Sequence, residues 1–202
     1  MFVQVIQAKV ADEAGVRKAL ERWERQLMSG ADGYLGTTAG FLHDGSLIAL
    51  ARFESPDAAR ANSDRPEQGE WAAELTKGLE GEPTYIDLPD AELWLGGGSD
   101  DARFVQVMIG HSPDVDRLLA SSHEVDTTQL REGRPEIIGG VQGKFGNDGY
   151  VFAVYFRSED AARSGESQEP PEDIRPMLEE RMRLMGEVKY YDLSSPMLIS
   201  RS

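Results

Sequence analysis

The tetrapeptide FVQV occupies residues 2–5 and occurs again at residues 104–107. Its valine and phenylalanine side chains are typical of β-strands. Two further pairs follow in the same order: FESPDAAR at 53–60 with FRSEDAAR at 156–163, and YIDL at 85–88 with YYDL at 190–193. Because the spacing between partners stays almost constant, the chain is interpreted as a duplicated domain of about 95 residues rather than a solenoid of short repeats.

The duplication predicts two domains and a connection between them. The first repeat is expected to span residues 1–95 and the second to span residues 103–202. Residues 96–102, which read GGGSDDA, have the glycine-rich and polar composition of a flexible linker.

Each repeat has the pattern β-α-β-β-α-β. In the first repeat Val16, Leu20 and Trp23 recur at helical spacing, and Asp44-Gly45 separates two strand-like runs as in a hairpin. In the second repeat one helix is predicted from Ser112 to about Leu130. This order predicts an α+β, ferredoxin-like unit with an antiparallel sheet and both helices on one face. Two such units in one chain are expected to close their free faces into one intramolecular α/β barrel.

Composition excludes several classes of function. The chain has 202 residues, 40% of them hydrophobic, no cysteine and a formal charge of −15. The charge argues against nucleic acid as a partner, because phosphate binding depends mainly on Lys and Arg. No apolar run is long enough to span a membrane, and the N-terminus does not have the pattern of a signal peptide. A cytoplasmic protein is therefore predicted.

Motifs of metal and hydrolytic chemistry are not evident. His43, His111 and His123 are scattered, and a grouping of the last two with Asp114 and Asp116 matches no metal-binding motif. No Gly-x-Ser-x-Gly elbow and no phosphate-binding loop occur. The sequence predicts no metal site, and the catalytic residues stay unknown.

The chain resembles the dimeric α/β-barrel superfamily, and within it the proteins similar to antibiotic-biosynthesis monooxygenases. The resemblance rests on the element order, on SPDAAR at 55–60, and on RPEQGEW at 65–71 leading to EGEPT at 80–84. It implies a barrel closed within one chain, as a monomeric pseudo-dimer or a further homodimer. It also implies a small-molecule ligand, with cofactor-free oxygenation of an aromatic or polyketide-like substrate as the activity. The haem-degrading branch places a histidine on the second helix, and neither repeat has one, so no cofactor is expected.

Strand parity suggests which side chains meet a ligand. If Val3 and Val5 face the helices, then Gln4 and its counterpart Gln106 point into the barrel. The same argument on the third strand of each repeat points Arg52 and Tyr155 inward, and Trp71 completes the candidate set: Gln4, Arg52, Gln106, Tyr155 and Trp71.

Each candidate also has a structural alternative. The glutamines can bond to a neighbouring strand or to each other, Arg52 can pair with a nearby carboxylate, and Trp71 has the spacing of a packing residue. Because Arg52 and Tyr155 occupy matching positions but differ, one half of the chain can bind a ligand while the other half only supports the fold. The alternative function is a non-catalytic ligand-binding or structural barrel.

Overall fold

The computed structural model describes residues 1–98 and 100–200. The chain forms two compact units, one of residues 1–90 with the C-terminal segment from Met197, and one of Ala91–Pro196. Within the described residues the first unit begins with these elements: β1 (Phe2–Val10), α1 (Glu13–Gln26), a 3-10 turn (Met28–Gly30), β2 (Tyr34–Phe41), β3 (Ser46–Phe53), α2 (Pro56–Ser63), α3 (Pro66–Thr76) and β4 (Leu79–Leu88).

The second unit repeats this order. Its elements are β5 (Glu92–Trp94), β6 (Phe104–His111), α4 (Val115–Ser121), α5 (Thr127–Gly133), β7 (Ile137–Phe145), β8 (Gly149–Phe156), α6 (Glu159–Glu166), α7 (Arg175–Met185) and β9 (Val188–Leu193). The last strand of the chain, β10 (Met197–Ser200), belongs to the first unit. The predicted α+β class and the two ferredoxin-like repeats are confirmed. Closure of one barrel concerns the placement of one unit on the other, and it stays a prediction.

Both sheets have five antiparallel strands. Their orders are β10-β2-β3-β1-β4 and β5-β7-β8-β6-β9. The short apolar strand at the end of each repeat therefore completes the sheet of the other repeat: β5 pairs with β7, and β10 pairs with β2. From the sequence, these strands are interpreted as short tails of their own repeats. The residues of one strand do not indicate which other strand it pairs with.

Local signals begin α1, α2 and α6 where the sequence indicates, whereas α4 begins after the cap Asp114 and not at the expected cap Ser112. The side chains of Asp12 and Asp114 cap α1 and α4, and those of Ser55 and Ser158 cap α2 and α6. Each accepts a hydrogen bond from a backbone N–H of the first turn, which otherwise has no partner. The predicted continuous helix to about Leu130 is wrong, since α4 ends at Ser121 and α5 begins after a new cap, Asp126.

The core of the first unit lies between its sheet and its helices. Phe2 and Phe53 pack against Trp23 and Leu27 of α1, and Ile6 packs in a second cluster with Val16. Residues 2, 4 and 6 of β1 therefore face the helices, and the predicted parity of this strand is wrong. Val3 and Val5 are 0% exposed on the other face, so both faces are apolar and alternation alone does not tell which one the helices cover.

Candidate functional site

The second unit contains a cavity of about 1450 Å³ between its sheet and its helices. The floor consists of side chains that adjacent strands β6 and β8 direct to the helix-covered face: Gln106, Met108, Phe152, Val154 and Phe156. The walls come from the segment 121–134, the segment 163–171 and α7, and β5 adds Trp94. The strand contributed by the end of the first repeat thus helps to build the cavity of the second unit.

Most of the lining is apolar and adaptable. Leu130 and Ile137 lie along one wall, and α7 with the residue before it supplies the other: Ile174, Met177, Leu178, Met182 and Met185. Methionine side chains are flexible and polarisable, so they adapt to ligands of different outline. A concave, mainly apolar cavity with few polar groups is the usual form of a small-molecule site.

One polar group lies where β6 and β9 adjoin. Gln106, which is 7% exposed, donates from Nε2 to Oδ1 of Asp192 at 3.0 Å. Arg163 of α6 donates to the other oxygen of Asp192, and its guanidinium carbon lies 5.1 Å from the centroid of the Phe104 ring. Partial burial disfavours the charged form of Arg163, but the hydrogen bonds that it donates to Glu166 and Asp192 raise its pKa overall. Both oxygens of Asp192 are thus engaged.

A second polar group lies on the opposite wall. Arg181 of α7 donates from Nη1 to the hydroxyl oxygens of Ser121 and Ser122, at 2.9 Å each. Its guanidinium carbon lies 4.8 Å from the centroid of the Phe152 ring. Burial lowers the pKa of Arg181, because the charged form loses hydration.

The end of α7 is fixed to the sheet by Tyr150. This side chain is 0% exposed, and its hydroxyl donates to the carbonyl oxygen of Met185 at 2.7 Å. Burial raises the pKa of Tyr150 to about 12, with a smaller contribution from Tyr190. The phenol is therefore neutral at ordinary pH, and it acts as a donor that holds α7, and with it Arg181, over the floor.

The same place in the first unit is filled by indole rings. Trp23 and Trp71 lie with ring centroids 6.4 Å apart, and Trp71 packs in both core clusters of that unit. Nε1 of Trp71 donates to the carbonyl oxygen of Ala19 at 2.7 Å. Trp71 is thus a packing residue of the first unit, and the two repeats differ in whether this space is filled.

Of the predicted residues, Gln106 alone lines the cavity. Gln4 lies on the helix-covered face of the first unit and donates to Oδ1 of Asp87 at 2.9 Å. Both glutamines therefore bond to the adjacent strand, the structural alternative that the sequence left open. Because Gln4 faces the helices, its predicted position inside a barrel is wrong, and the same holds for Gln106.

Arg52 and Tyr155 point away from the helices. Arg52 pairs in register with Val3, and Tyr155 with Val105, so each lies on the opposite sheet face from the neighbouring glutamine. The five candidates therefore do not form one site. Apart from Gln106, none of them lines the cavity of the second unit, so the cavity gives no evidence that they contact a ligand.

Sequence reasoning missed Asp192, Arg163 and Arg181. A signal for Asp192 exists in the repeated tetrapeptides, since both copies contain the same Gln and Asp. Gln106 bonds to Asp192 in one repeat as Gln4 bonds to Asp87 in the other. A signal for Arg181 lies in the last helices, where Trp71 and Arg181 each stand five residues after a proline. Comparing the repeats position by position would have shown an indole replaced by a guanidinium.

Two of the three histidines, His111 and His123, have local partners. His111 hydrogen-bonds to Asp148 at 3.0 Å, and His123 to Glu92 at 2.9 Å. None of the histidines lines the cavity of the second unit. Over residues 1–98 and 100–200, no group of three or more His, Asp or Glu side chains is arranged to hold a metal ion. No helix of those residues is both long and apolar enough to cross a membrane.

Comparison with known proteins shows the fold. No family model matches the chain, and no curated protein matches it. Among solved structures it is similar to a "putative monooxygenase" from Fusobacterium nucleatum subsp. nucleatum, with a TM-score of 0.77 and 12% identity over 100% of this chain and 94% of that chain. A "putative monooxygenase" from Lactobacillus acidophilus matches with a TM-score of 0.72 and 13% identity, over 98% of this chain and 99% of that one.

A third similar structure is that of an anthrone oxidase-like protein. It has a TM-score of 0.64 and 12% identity, over 98% of this chain and 92% of that chain. All three likenesses extend over nearly the full length of both chains, so the resemblance to monooxygenases is confirmed at the level of the fold. At these identities the activity does not follow from the fold.

Proposed function

We propose that the second unit binds a flat, largely apolar small molecule of aromatic or polyketide-like character, and that the protein oxygenates it without a cofactor. The cavity of about 1450 Å³ carries this proposal. Small-molecule sites usually measure about 300–1,000 Å³, so a ligand of three or four fused rings has room here. The alternating aromatic and aliphatic floor, with Phe152, Val154 and Phe156, suits the face of such a ring system.

The reaction is an oxygenation in which the substrate supplies the electrons. A methylene group between two aromatic rings loses a proton to give a stabilised carbanion, which reacts with O₂. One oxygen atom becomes a new carbonyl oxygen, and the other leaves as water with the two methylene hydrogens. No external reductant is needed. The protein's part is to orient the substrate and to exclude water, and the structural likeness to proteins described as monooxygenases supports this choice.

Non-catalytic binding is the second candidate, and one observation favours it. Asp192, the carboxylate at the floor, accepts hydrogen bonds from Gln106 and Arg163, and no histidine lies among the lining residues. A general base with a free lone pair is therefore not evident, and the alternative is a protein that holds its ligand unchanged. In either case we propose a cytoplasmic protein that acts as a single-chain pseudo-dimer or as a further homodimer.

Ligand binding is tested first and catalytic turnover second. Titration calorimetry with anthraquinone derivatives is expected to show binding to the wild-type protein. Leu178→Trp, which fills the cavity from α7, should weaken binding at least tenfold. Arg183→Trp on the same helix lies outside the lining and should leave it unchanged. Oxygen uptake with anthrone, corrected for the reaction without protein, then separates the two functions.

The outcomes distinguish the candidates. Binding with protein-dependent oxygen uptake and quinone formation supports the oxygenase. Binding without added oxygen uptake supports the non-catalytic alternative. Equal binding by the wild-type protein and Leu178→Trp removes the cavity as the site, and absence of binding contradicts the proposal as a whole.

A further inference from the structure

Arg181 is a half-buried cation whose donors are only partly used. Nη1 donates to Ser121 and Ser122, both 4% exposed. Within the described chain, Nε and Nη2 make no hydrogen bond, and neither atom is fully buried. Since a guanidinium has five N–H donors, three donors of this cavity-lining side chain have no partner in the described chain.

No carboxylate of the described residues pairs with Arg181. Two acidic residues close to this group in sequence, Glu180 beside Arg181 and Glu124 two residues after Ser122, are both held by Arg117. Its Nη1 lies 2.5 Å from Glu124 and its Nε lies 3.1 Å from Glu180. A half-buried charge without a counter-ion lowers the stability of the fold. The presence of Arg181 at this position therefore indicates a function other than stabilisation.

The first unit has no counterpart of this arrangement. α1 and α4 begin at caps 102 residues apart, Asp12 and Asp114, which aligns Ala19 and Leu20 with the two serines. At the place of Arg181 the first unit has Trp71, which bonds to the backbone of Ala19. Three residues of one repeat, Ala19, Leu20 and Trp71, thus correspond to a guanidinium and the two serine hydroxyls that accept hydrogen bonds from it, and this polar set borders the cavity of about 1450 Å³.

The other charges of the cavity differ from Arg181 in depth. Glu132, Glu169 and Glu179 line the cavity but are exposed to solvent at its rim. Water and salt screen charges at such positions strongly. Arg163 is neutralised by Asp192 and Glu166. Among the described lining charges that are not exposed, Arg134, Arg163 and Asp192 are in ion pairs, so Arg181 is the one without a counter-ion, and its sign is positive.

We propose that the ligand of this cavity carries an anionic oxygen, a carboxylate or an ionised phenol, and that Arg181 binds it through Nε and Nη2. The inference rests on the proposed binding function and adds the charge of the ligand to it. Arginine is suited to the task, because its planar fork donates two parallel hydrogen bonds to an anion. The Ser122 hydroxyl accepts from Arg181, so its hydrogen is free to donate to the same anion.

The test uses three probes of one shape on the full-length protein: anthraquinone-2-carboxylate, its neutral carboxamide and a cationic trimethylammonium analogue. The wild-type protein is expected to bind the carboxylate at least tenfold more tightly than the carboxamide. Arg181→Gln should remove this preference and leave the affinity for the carboxamide within twofold. Arg183→Gln, which removes the same charge from the same helix outside the cavity, should retain the preference. Arg181→Lys, which keeps the charge, should retain part of it.

Each result decides between the claims. Thermal melting of the variants establishes that they fold. If Arg181→Gln does not fold, Arg181→Lys takes its place in the comparison of the carboxylate with the carboxamide. If Arg181→Gln binds the carboxylate as tightly as the wild-type protein does, or if the cationic probe binds best, the inference about Arg181 is overturned while the binding function stands. If none of the probes binds to the wild-type protein, the proposed function fails, and the inference fails with it.

Discussion

Arg52 lies on the sheet face away from the helices, opposite to that of Gln4, and among the described residues it lacks the carboxylate partner that was the structural alternative for it. Its guanidinium lies directly on Gly36, where an added Cβ atom would clash with Nη2. Nε of Arg52 is buried without a hydrogen-bond partner, and within the described residues the side chain makes no ion pair. The nearby carboxylate that would make Arg52 structural is therefore not observed.

Replacement of Arg52 should thus not harm the fold. Arg52→Met keeps the aliphatic stem and removes a buried donor without a partner, so the free energy of unfolding is expected to rise by about 1 kcal/mol. Urea denaturation measures the change, with the exposed Arg60→Met as the control that should stay within about 0.5 kcal/mol. A decrease of several kcal/mol for Arg52→Met would reveal a carboxylate left unpaired and contradict this account.

At the scale of elements, the exchanged strands connect distant parts of the sequence. β10 pairs with β2 over Met197–Ser200, and Tyr34 donates from its hydroxyl to the carbonyl oxygen of Ile199 at 3.3 Å. Ile199 is 7% exposed, so this last strand is part of the core of the first unit. Stability of the N-terminal repeat therefore depends on residues at the other end of the chain.

Ile199→Ala should lower the free energy of unfolding by about 2 kcal/mol, since it removes buried methyl groups and leaves a cavity. The effect should appear as faster amide hydrogen exchange in β2, more than 150 residues away in sequence. Leu198→Ala, on the half-buried neighbouring position, is the control with a smaller expected change. Faster exchange confined to the second unit would contradict the pairing.

At the scale of the whole molecule, the exchange makes the two repeats mutually dependent. Residues 1–95 contain β5, which completes the second sheet, and residues 96–202 contain β10, which completes the first. A sheet that lacks its edge strand exposes unpaired backbone groups and accepts a strand from another chain.

The two halves, produced as separate chains, are therefore expected to associate one to one when mixed. Size-exclusion chromatography with light scattering measures the association, and the half from 96 to 202 with Ile199→Pro is the control that should bind more weakly, because proline cannot donate to the strand pairing. Halves that fold and remain separate would show that the exchanged strands contribute little.

The divergence of the repeats also belongs to this scale. The first unit fills the space between sheet and helices with Trp23 and Trp71, and the second leaves about 1450 Å³ there. Under the proposed function one binding unit suffices, and the other serves as a packed support. This agrees with the difference between halves that the sequence indicated, although that difference was assigned to Arg52 and Tyr155.

The duplication, the α+β class and the order of elements in each repeat were predictable from the amino-acid sequence alone. These follow from local signals: strand-forming tetrapeptides, capping residues such as Asp12 and Ser158, and hairpin glycines. Each signal acts within a few residues of the structure that it specifies, and it can therefore be read from one chain.

The folded structure was needed to establish which sheet face the helices cover, which sheet each terminal strand joins, and where the cavity lies. Both faces of β1 are apolar, so period-two alternation gives two solutions, and the packing of Phe2 and Ile6 against α1 selects one. Arg181 meets Ser121 across 60 residues, and no local pattern encodes that contact. The role of a polar group of this kind depends on neighbours that are distant in sequence, because its burial and its lack of a counter-ion exist only after the chain has folded.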